Sequence, residues 1–327
     1  MKAVQVINPG ENASLKIDEF PTPEMAPHQV LVKVKATALN RADLLQRKGK
    51  YPPPEGASPI MGLEMAGVVE AAGNEVTRWK KGDRVFGLLP GGGYAEYAVI
   101  HERMAMRIPD DMNFEEAAAV PETFLTAYQA LCWLGDLQQN ETVLIHAGGS
   151  GVGTSAIQIA REYNADIITT AGKDFKLEAC RGLGAKLALN YHEGPFADPI
   201  EEQFGKNSVN LIIDFVGKPY WNQNIRILSL DGRVVYLSML GGTHLEDADI
   251  GPILRKRLTI RGSTLRSRDS IYKIRLTEEF AEFALELFER KRMKPVVDQV
   301  FDWKDTEEAH RYMAENRNTG KIVLNGM

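Results

Sequence analysis

The 327-residue chain is poor in cysteine, with only Cys132 and Cys180. Two thiols give no disulfide framework, which excludes a stapled secreted scaffold and points to a reducing, cytoplasmic setting. Cys132 sits in an apolar helical pattern and reads as core. Long apolar runs are also missing. Residues 117–134 come nearest to a membrane span, but Pro121, Glu122 and Gln129 interrupt them. No secretory leader is visible, because residues 1–7 run directly into a strand pattern. Positive charge is not in excess. A net charge of −5 gives no reason to expect a nucleic-acid partner. Lys80-Lys81 and Arg255-Lys256-Arg257 are short clusters that read as solvated surface. Neither a fixed-period repeat nor a low-complexity tract occurs.

What is present suits two domains: the length exceeds one typical core. The most informative stretch is Val143-Leu-Ile-His-Ala-Gly-Gly-Ser-Gly-Val-Gly153. An apolar strand run gives way to small residues, and helical spacing follows at Val152, Ala156, Ile157 and Ile159. Strand, glycine turn and helix in that order form a phosphate-binding site, since backbone N–H groups at a helix start point at an anion. Gly148 and Gly153 match the outer glycines of G-x-G-x-x-G, whereas Ser150 takes the middle position. Glycine turns of this kind also occur without a ligand.

Further strand patterns follow at 165–171, 186–190, 209–214, 233–237 and 258–261, and helical patterns at 175–181, 221–230 and 253–257. Six β-rich runs alternating with helices predict an α/β fold with a Rossmann-type, doubly wound parallel sheet. An NAD site usually ends its second strand on an acid that holds the ribose 2′-hydroxyl. Here that strand ends Thr170-Ala171-Gly172, with Lys173 and Lys176 just beyond. Ammonium groups attract a 2′-phosphate, which favours NADP (NADPH). Both lysines also read as solvated helix-start residues, and Asp174 between them leaves NAD open.

The first 120 residues are organised differently. Val30-Leu-Val-Lys-Val-Lys35 alternates like a half-buried strand, and 67–70 and 83–87 are short strands bounded by glycine. Residues 280–288 carry a helical apolar stripe. The final Lys321-Ile-Val-Leu324 reads as a strand that returns to the N-terminal β domain, making that domain discontinuous. The expected division is 1–120, 121–264 and 265–327.

With Ala38-Leu-Asn-Arg-Ala-Asp43, Gly62-Leu-Glu-Met-Ala-Gly67, Leu89-Pro-Gly-Gly-Gly93, the glycine loop, Asn190-Tyr191, Leu265-Arg-Ser-Arg-Asp269 and Gly320-Lys-Ile-Val-Leu324, the chain resembles the medium-chain dehydrogenase/reductase superfamily. Within it the likeness is to zeta-crystallin-like quinone oxidoreductases, nearest the tumour-suppressor-inducible subgroup. The resemblance implies a GroES-like β domain, completed by C-terminal elements, and a Rossmann domain between them. Zinc-dependent relatives carry Cys where Asn40 stands and His where Leu63 stands. Neither residue here suits the three-ligand site that zinc catalysis needs. His28, His101, His146, His192, His244 and His310 form no local ligand spacing either. A zinc-independent mechanism is expected. Glu64 reads as a buried acid holding a turn or a basic partner.

Without a Lewis acid, oxidising an alcohol is difficult, whereas quinones and conjugated carbonyls accept electrons readily. The expected activity is NADPH:quinone oxidoreductase, with a small-molecule quinone or related electrophile as partner. An enone or alkenal reductase is the alternative, as is a cofactor-binding structural or regulatory protein with weak turnover. One-electron and hydride transfer both stay open. The resemblance places Asn40 and Tyr51 near the nicotinamide as catalytic candidates, with Thr126 also on that side. Tyr51 and Thr126 read equally as a loop aromatic and a helix-interior threonine. By the same likeness Gly148, Ser150, Gly151, Val152 and Gly153 hold the pyrophosphate. Gly172, Lys173, Lys176 and Tyr191 would surround the adenosine 2′-phosphate. Phe215, Leu237, Ser238 and Met239 lie in loops suited to adenine and ribose. Leu265, Arg266 and Arg317 approach the cofactor, although either arginine also reads as an ion-pair residue. Family members form dimers or tetramers, and a homodimer or homotetramer is expected.

Overall fold

The computed structural model describes residues 1–246 and 248–327. The chain divides into two units, Met1–Leu125 with Arg266–Met327, and Thr126–Leu265.

The first unit is built on antiparallel β-structure. The strand Gln29–Ala38 alternates buried and partly exposed residues, as its sequence pattern requires, and pairs with Glu64–Ala72 on one edge. Glu64–Ala72 continues the sheet through Arg84–Leu88. Tyr97–His101 also pairs with Gln29–Ala38. The C-terminal strand Lys321–Asn325 returns to Gln29–Ala38, Val323 opposite Ala38 and Leu324 opposite Thr37. Val297–Asp302 pairs with it in parallel. The unit is therefore discontinuous in sequence. Val30, Val32, Val34, Met65, Val69 and Val85 fill one core. Of the stripe expected over 280–288, the helix Ser270–Glu289 buries Phe280, Ala284 and Phe288 and half-buries Phe283 and Leu287, and it also buries Ile274 and Leu276 ahead of them.

The second unit is a six-stranded sheet. Its strands are β1 (Thr142–Ile145), β2 (Asp166–Ala171), β3 (Leu187–Asn190), β4 (Val209–Asp214), β5 (Leu228–Tyr236) and β6 (Thr259–Gly262). Every pairing is parallel, in the order β3-β2-β1-β4-β5-β6. The order reverses between β1 and β4, which is where a doubly wound sheet binds dinucleotides. Leu144, Ile168, Ile212 and Val234 from four strands pack with Phe196, Ile200, Ile225 and Ile227. The helix expected over 221–230 stops at Ile227, because Leu228 already starts β5. Its apolar residues Ile225, Ile227 and Leu228 fit either period. The helix Pro121–Tyr128 runs on into a π-helical turn, Gln129–Leu134. Thr126 thus lies in a helix interior, in keeping with the plainer of its two readings.

Among the described residues no helix is long and apolar enough to cross a membrane.

Candidate active site

The glycine loop follows β1 directly. His146 donates its N–H to Ile213 O at 3.0 Å, and Ala147 adopts φ 50° to turn the chain. Two glycines there are sterically required. A Cβ on Gly148 would meet Thr169 Oγ1 at 1.8 Å, and one on Gly153 would meet Ala147 O at 2.4 Å. Ser150 caps the helix Gly151–Glu162, its Oγ accepting from Gly153 N at 3.0 Å. The sequence put all of 150–153 against the pyrophosphate. The structure instead commits the Gly153 N–H to Ser150. The N–H groups of Gly151 and Val152 have no partner among the described residues. Two free donors at the N-terminus of a twelve-residue helix fit an anion.

A polar cluster surrounds the end of β2. The Tyr191 hydroxyl lies over Gly172, where a Cβ would approach it to 2.3 Å, and His192 Nε2 lies over the same glycine. The Lys176 stem packs on Gly149. The Lys173 and Lys176 ammoniums flank the Phe175 ring at 5.8 and 5.9 Å from its centroid. Lys173 is exposed and Lys176 half-buried. These residues fit a phosphate on the adenosine ribose. His192 was not singled out from sequence, although it directly follows Tyr191 and stacks on its ring. Phe215 and Leu237–Met239 follow β4 and β5, and the Leu237 N–H bonds Asp214 O at 2.9 Å. Leu265 is buried at the end of the unit, and Thr126 is half-buried.

In the first unit the expected candidates form a buried charge network. Asn40 Nδ2 donates to Glu64 Oε1 at 2.8 Å. Lys321 Nζ donates to Glu64 Oε1, Asn40 Oδ1 and Leu39 O, each at 2.7 Å. The other Glu64 oxygen accepts the Glu122 N–H at 2.8 Å, closing the N-terminus of Pro121–Tyr128. Glu64 is fully buried and Lys321 nearly so. Glu64 thus holds both a basic partner and a helix end. Lys321 and Glu122 were read from sequence only as a strand start and a break in an apolar run.

Tyr51 stands beside this network, half-buried, with Arg266 stacked 5.0 Å from its ring centroid. Arg266 donates to Pro90 O at 3.0 Å and to Gln46 Oε1 at 2.8 Å. Those contacts lie within the first unit, and none is to a carboxylate. The Tyr51 hydroxyl has no hydrogen-bond partner among the described residues. Arg317 is exposed, stacked on Tyr312 and paired loosely with Glu315.

Burial dominates the ionisation. It pushes Glu122 up to about 8, helped by the Glu64 charge. It pushes Asp43 up to about 6, against backbone N–H bonds from Asn40 and Gly62. Burial, then Glu122, also raises Tyr51, while Arg266 opposes the shift. Both thiols are pushed up to about 11 by burial and stay neutral. Cys180 is buried as a core residue is, and half-buried Cys132 meets the Tyr163 hydroxyl at 3.3 Å.

The donor set does not suit zinc. Leu63 is apolar and buried, and the oxygens of Asn40 and Glu64 already hold the Lys321 ammonium. Among the described residues no three His, Cys, Asp or Glu side chains are grouped to hold a metal ion.

Residues 26–110 match the alcohol dehydrogenase GroES-like domain, and 151–290 match the zinc-binding dehydrogenase family. The human quinone oxidoreductase is 32% identical over 99% of this chain and 97% of its own length. A Thermus thermophilus quinone oxidoreductase, described with its NADPH complex, superposes with a TM-score of 0.83 at 30% identity, covering all of both chains. An NAD-dependent alcohol dehydrogenase superposes with a TM-score of 0.87 at 31% identity, again over all of both chains.

Proposed function

The chain is a quinone oxidoreductase-family member of the medium-chain dehydrogenase/reductase superfamily, and we propose that it passes reducing equivalents from NADPH to a quinone. The observation that carries this reading is Lys321, whose ammonium bridges Glu64 and Asn40, the latter standing where the resemblance gives zinc relatives a cysteine ligand. An ammonium in that place is already saturated with acceptors and cannot polarise an alkoxide. The acceptor must therefore be electrophilic in itself, as quinones are.

Bound NADPH would supply the reducing equivalents. The Gly151 and Val152 N–H groups would bind its pyrophosphate, and Lys176, Lys173, Tyr191 and Gly172 its 2′-phosphate. Phe215, Leu237, Ser238, Met239, Leu265 and Arg317 serve the remaining cofactor contacts, and Thr126 the nicotinamide side. In the first unit Arg266 clamps the Tyr51 loop and presents a free tyrosine hydroxyl to the acceptor carbonyl. Asn40, fixed by Glu64 and Lys321, contributes a rigid wall rather than a mobile donor.

Steady-state oxidation of NADPH and NADH against quinones, enones and simple aldehydes tests the assignment. NADPH with quinones is expected to give the highest kcat/KM, unchanged after exhaustive chelation. Preference for an alcohol, with activity lost on chelation and restored by zinc, would overturn it.

A further inference from the structure

Among the described acids of this network the Glu64 and Asp43 carboxyls are hydrogen-bonded, whereas that of Glu122 is not. Its backbone N–H is tied to Glu64, which fixes the residue on the first turn of Pro121–Tyr128. Its carboxyl makes no hydrogen bond or ion pair with any described residue. Yet it lies within the fields of Glu64, Lys321, Asp43 and Arg266, and it acts on Tyr51 and Lys273. Lys321 is already taken by Glu64, Asn40 and Leu39 O, and Lys273 Nζ by Arg266 O at 2.7 Å. Arg266 is spent on Pro90 and Gln46. Each of these cations hydrogen-bonds elsewhere and none forms an ion pair with Glu122, and the neighbouring Glu64 carboxylate disfavours a second negative charge on this half-buried carboxyl.

We propose that Glu122, as a neutral acid, gives its proton to the reduced acceptor beside Tyr51, a role that rests on the quinone-reduction reading above. A quinone that takes up a hydride, two electrons and one hydrogen, from the reduced nicotinamide becomes a hydroquinone anion. The Glu122 O–H bond then breaks, and the proton forms a new O–H bond on the anionic oxygen. The carboxylate left behind regains a proton from water. The net change is quinone, reduced dinucleotide and one proton to hydroquinone and oxidised dinucleotide. A conjugated enone would be completed in the same way, by protonation of its enolate.

Two readouts on the whole chain test this. With NADPH and a benzoquinone, wild-type kcat should fall as pH rises through about 8. Glu122→Gln should abolish that limb and lower kcat at neutral pH on the order of 100-fold, while Glu122→Asp keeps the limb. The second readout needs no cofactor. A carboxyl whose pKa is raised by folding favours the native state while protonated, and that advantage is lost as pH rises from the ordinary glutamate value through about 8. The wild-type melting temperature should therefore drop relative to Glu122→Gln across that window and run parallel outside it. A limb that survives in the glutamine variant overturns the proton-donor role. Melting curves parallel throughout the window overturn the neutral acid. Should Glu122→Gln not fold, a Glu122→Asp enzyme without the limb overturns the role equally. Absence of quinone turnover at every pH would sink the quinone reading and this role together, with the melting comparison still deciding whether Glu122 holds a proton.

Discussion

Lys321 holds three partners at 2.7 Å in a buried site, and its removal would leave the Glu64 carboxyl without its cation, held only by the Asn40 amide and the Glu122 N–H. Breaking a buried pair from one side costs about 3–5 kcal/mol. Lys321→Met should lower chemical-denaturation stability by that amount, and Glu64→Gln/Lys321→Met together should recover part of it. An additive double variant would mean that the two residues do not communicate. Lys176 belongs to the same scale. Lys176→Ala should weaken NADPH binding by about 1.5–3 kcal/mol, the range for a hydrogen bond to a charged group, and leave NADH nearly unchanged. Calorimetric titration with equal loss for both cofactors would remove the lysine from the 2′-phosphate. The sequence made the second prediction available, because Lys176 follows the glycine loop and β2 at short range. It hid Lys321. Glu64 was legible as an acid awaiting a basic partner, but that partner stands 257 residues away and only strand pairing brings it close.

Elements were legible wherever one local period dominated. The run into the glycine turn, the helix after it and the alternation at 30–35 all follow from spacing, and β1 to β4 fall within a residue or so of their patterns. Short edge strands such as Ser14–Glu19 and Val297–Asp302 escaped, since none of their residues is fully buried and the apolar alternation, as at Leu15 and Ile17, is only two residues long. The loop itself was read correctly as glycine-dependent but not in its division of labour. Ser150 uses its oxygen to cap the helix, a contact that sequence alone cannot separate from a phosphate contact. Ser150→Ala should cost about 1 kcal/mol in urea unfolding without cofactor, as for other lost N-caps. Gly153→Ala should cost more, since its Cβ has no room against the Ala147 carbonyl. A serine variant as stable as wild type would return that hydroxyl to the pyrophosphate.

For the whole molecule, the remaining question is how the sheet of the second unit ends. β3 closes one side, and β6 lies at the other with all four residues exposed, Ile260 among them. A sheet edge with free N–H and C=O groups invites pairing unless charge or a bulge protects it. Just before β6 the short helix Gly251–Arg255 exposes Leu254 at 84%, and Ile250 ahead of it is exposed at 67%. We propose that these large apolar side chains beside an open edge form an association surface. A two-fold pairing of β6 with β6 in a second copy would cover both and satisfy the edge. Wild type at micromolar concentration should therefore sediment as a dimer or a tetramer. Ile260→Lys should shift it toward monomer, while Ile271→Lys, also exposed but on the helix Ser270–Glu289 of the first unit, should not. A wild-type monomer at that concentration would refute the edge pairing outright, and a lysine variant that still dimerises would move the interface elsewhere.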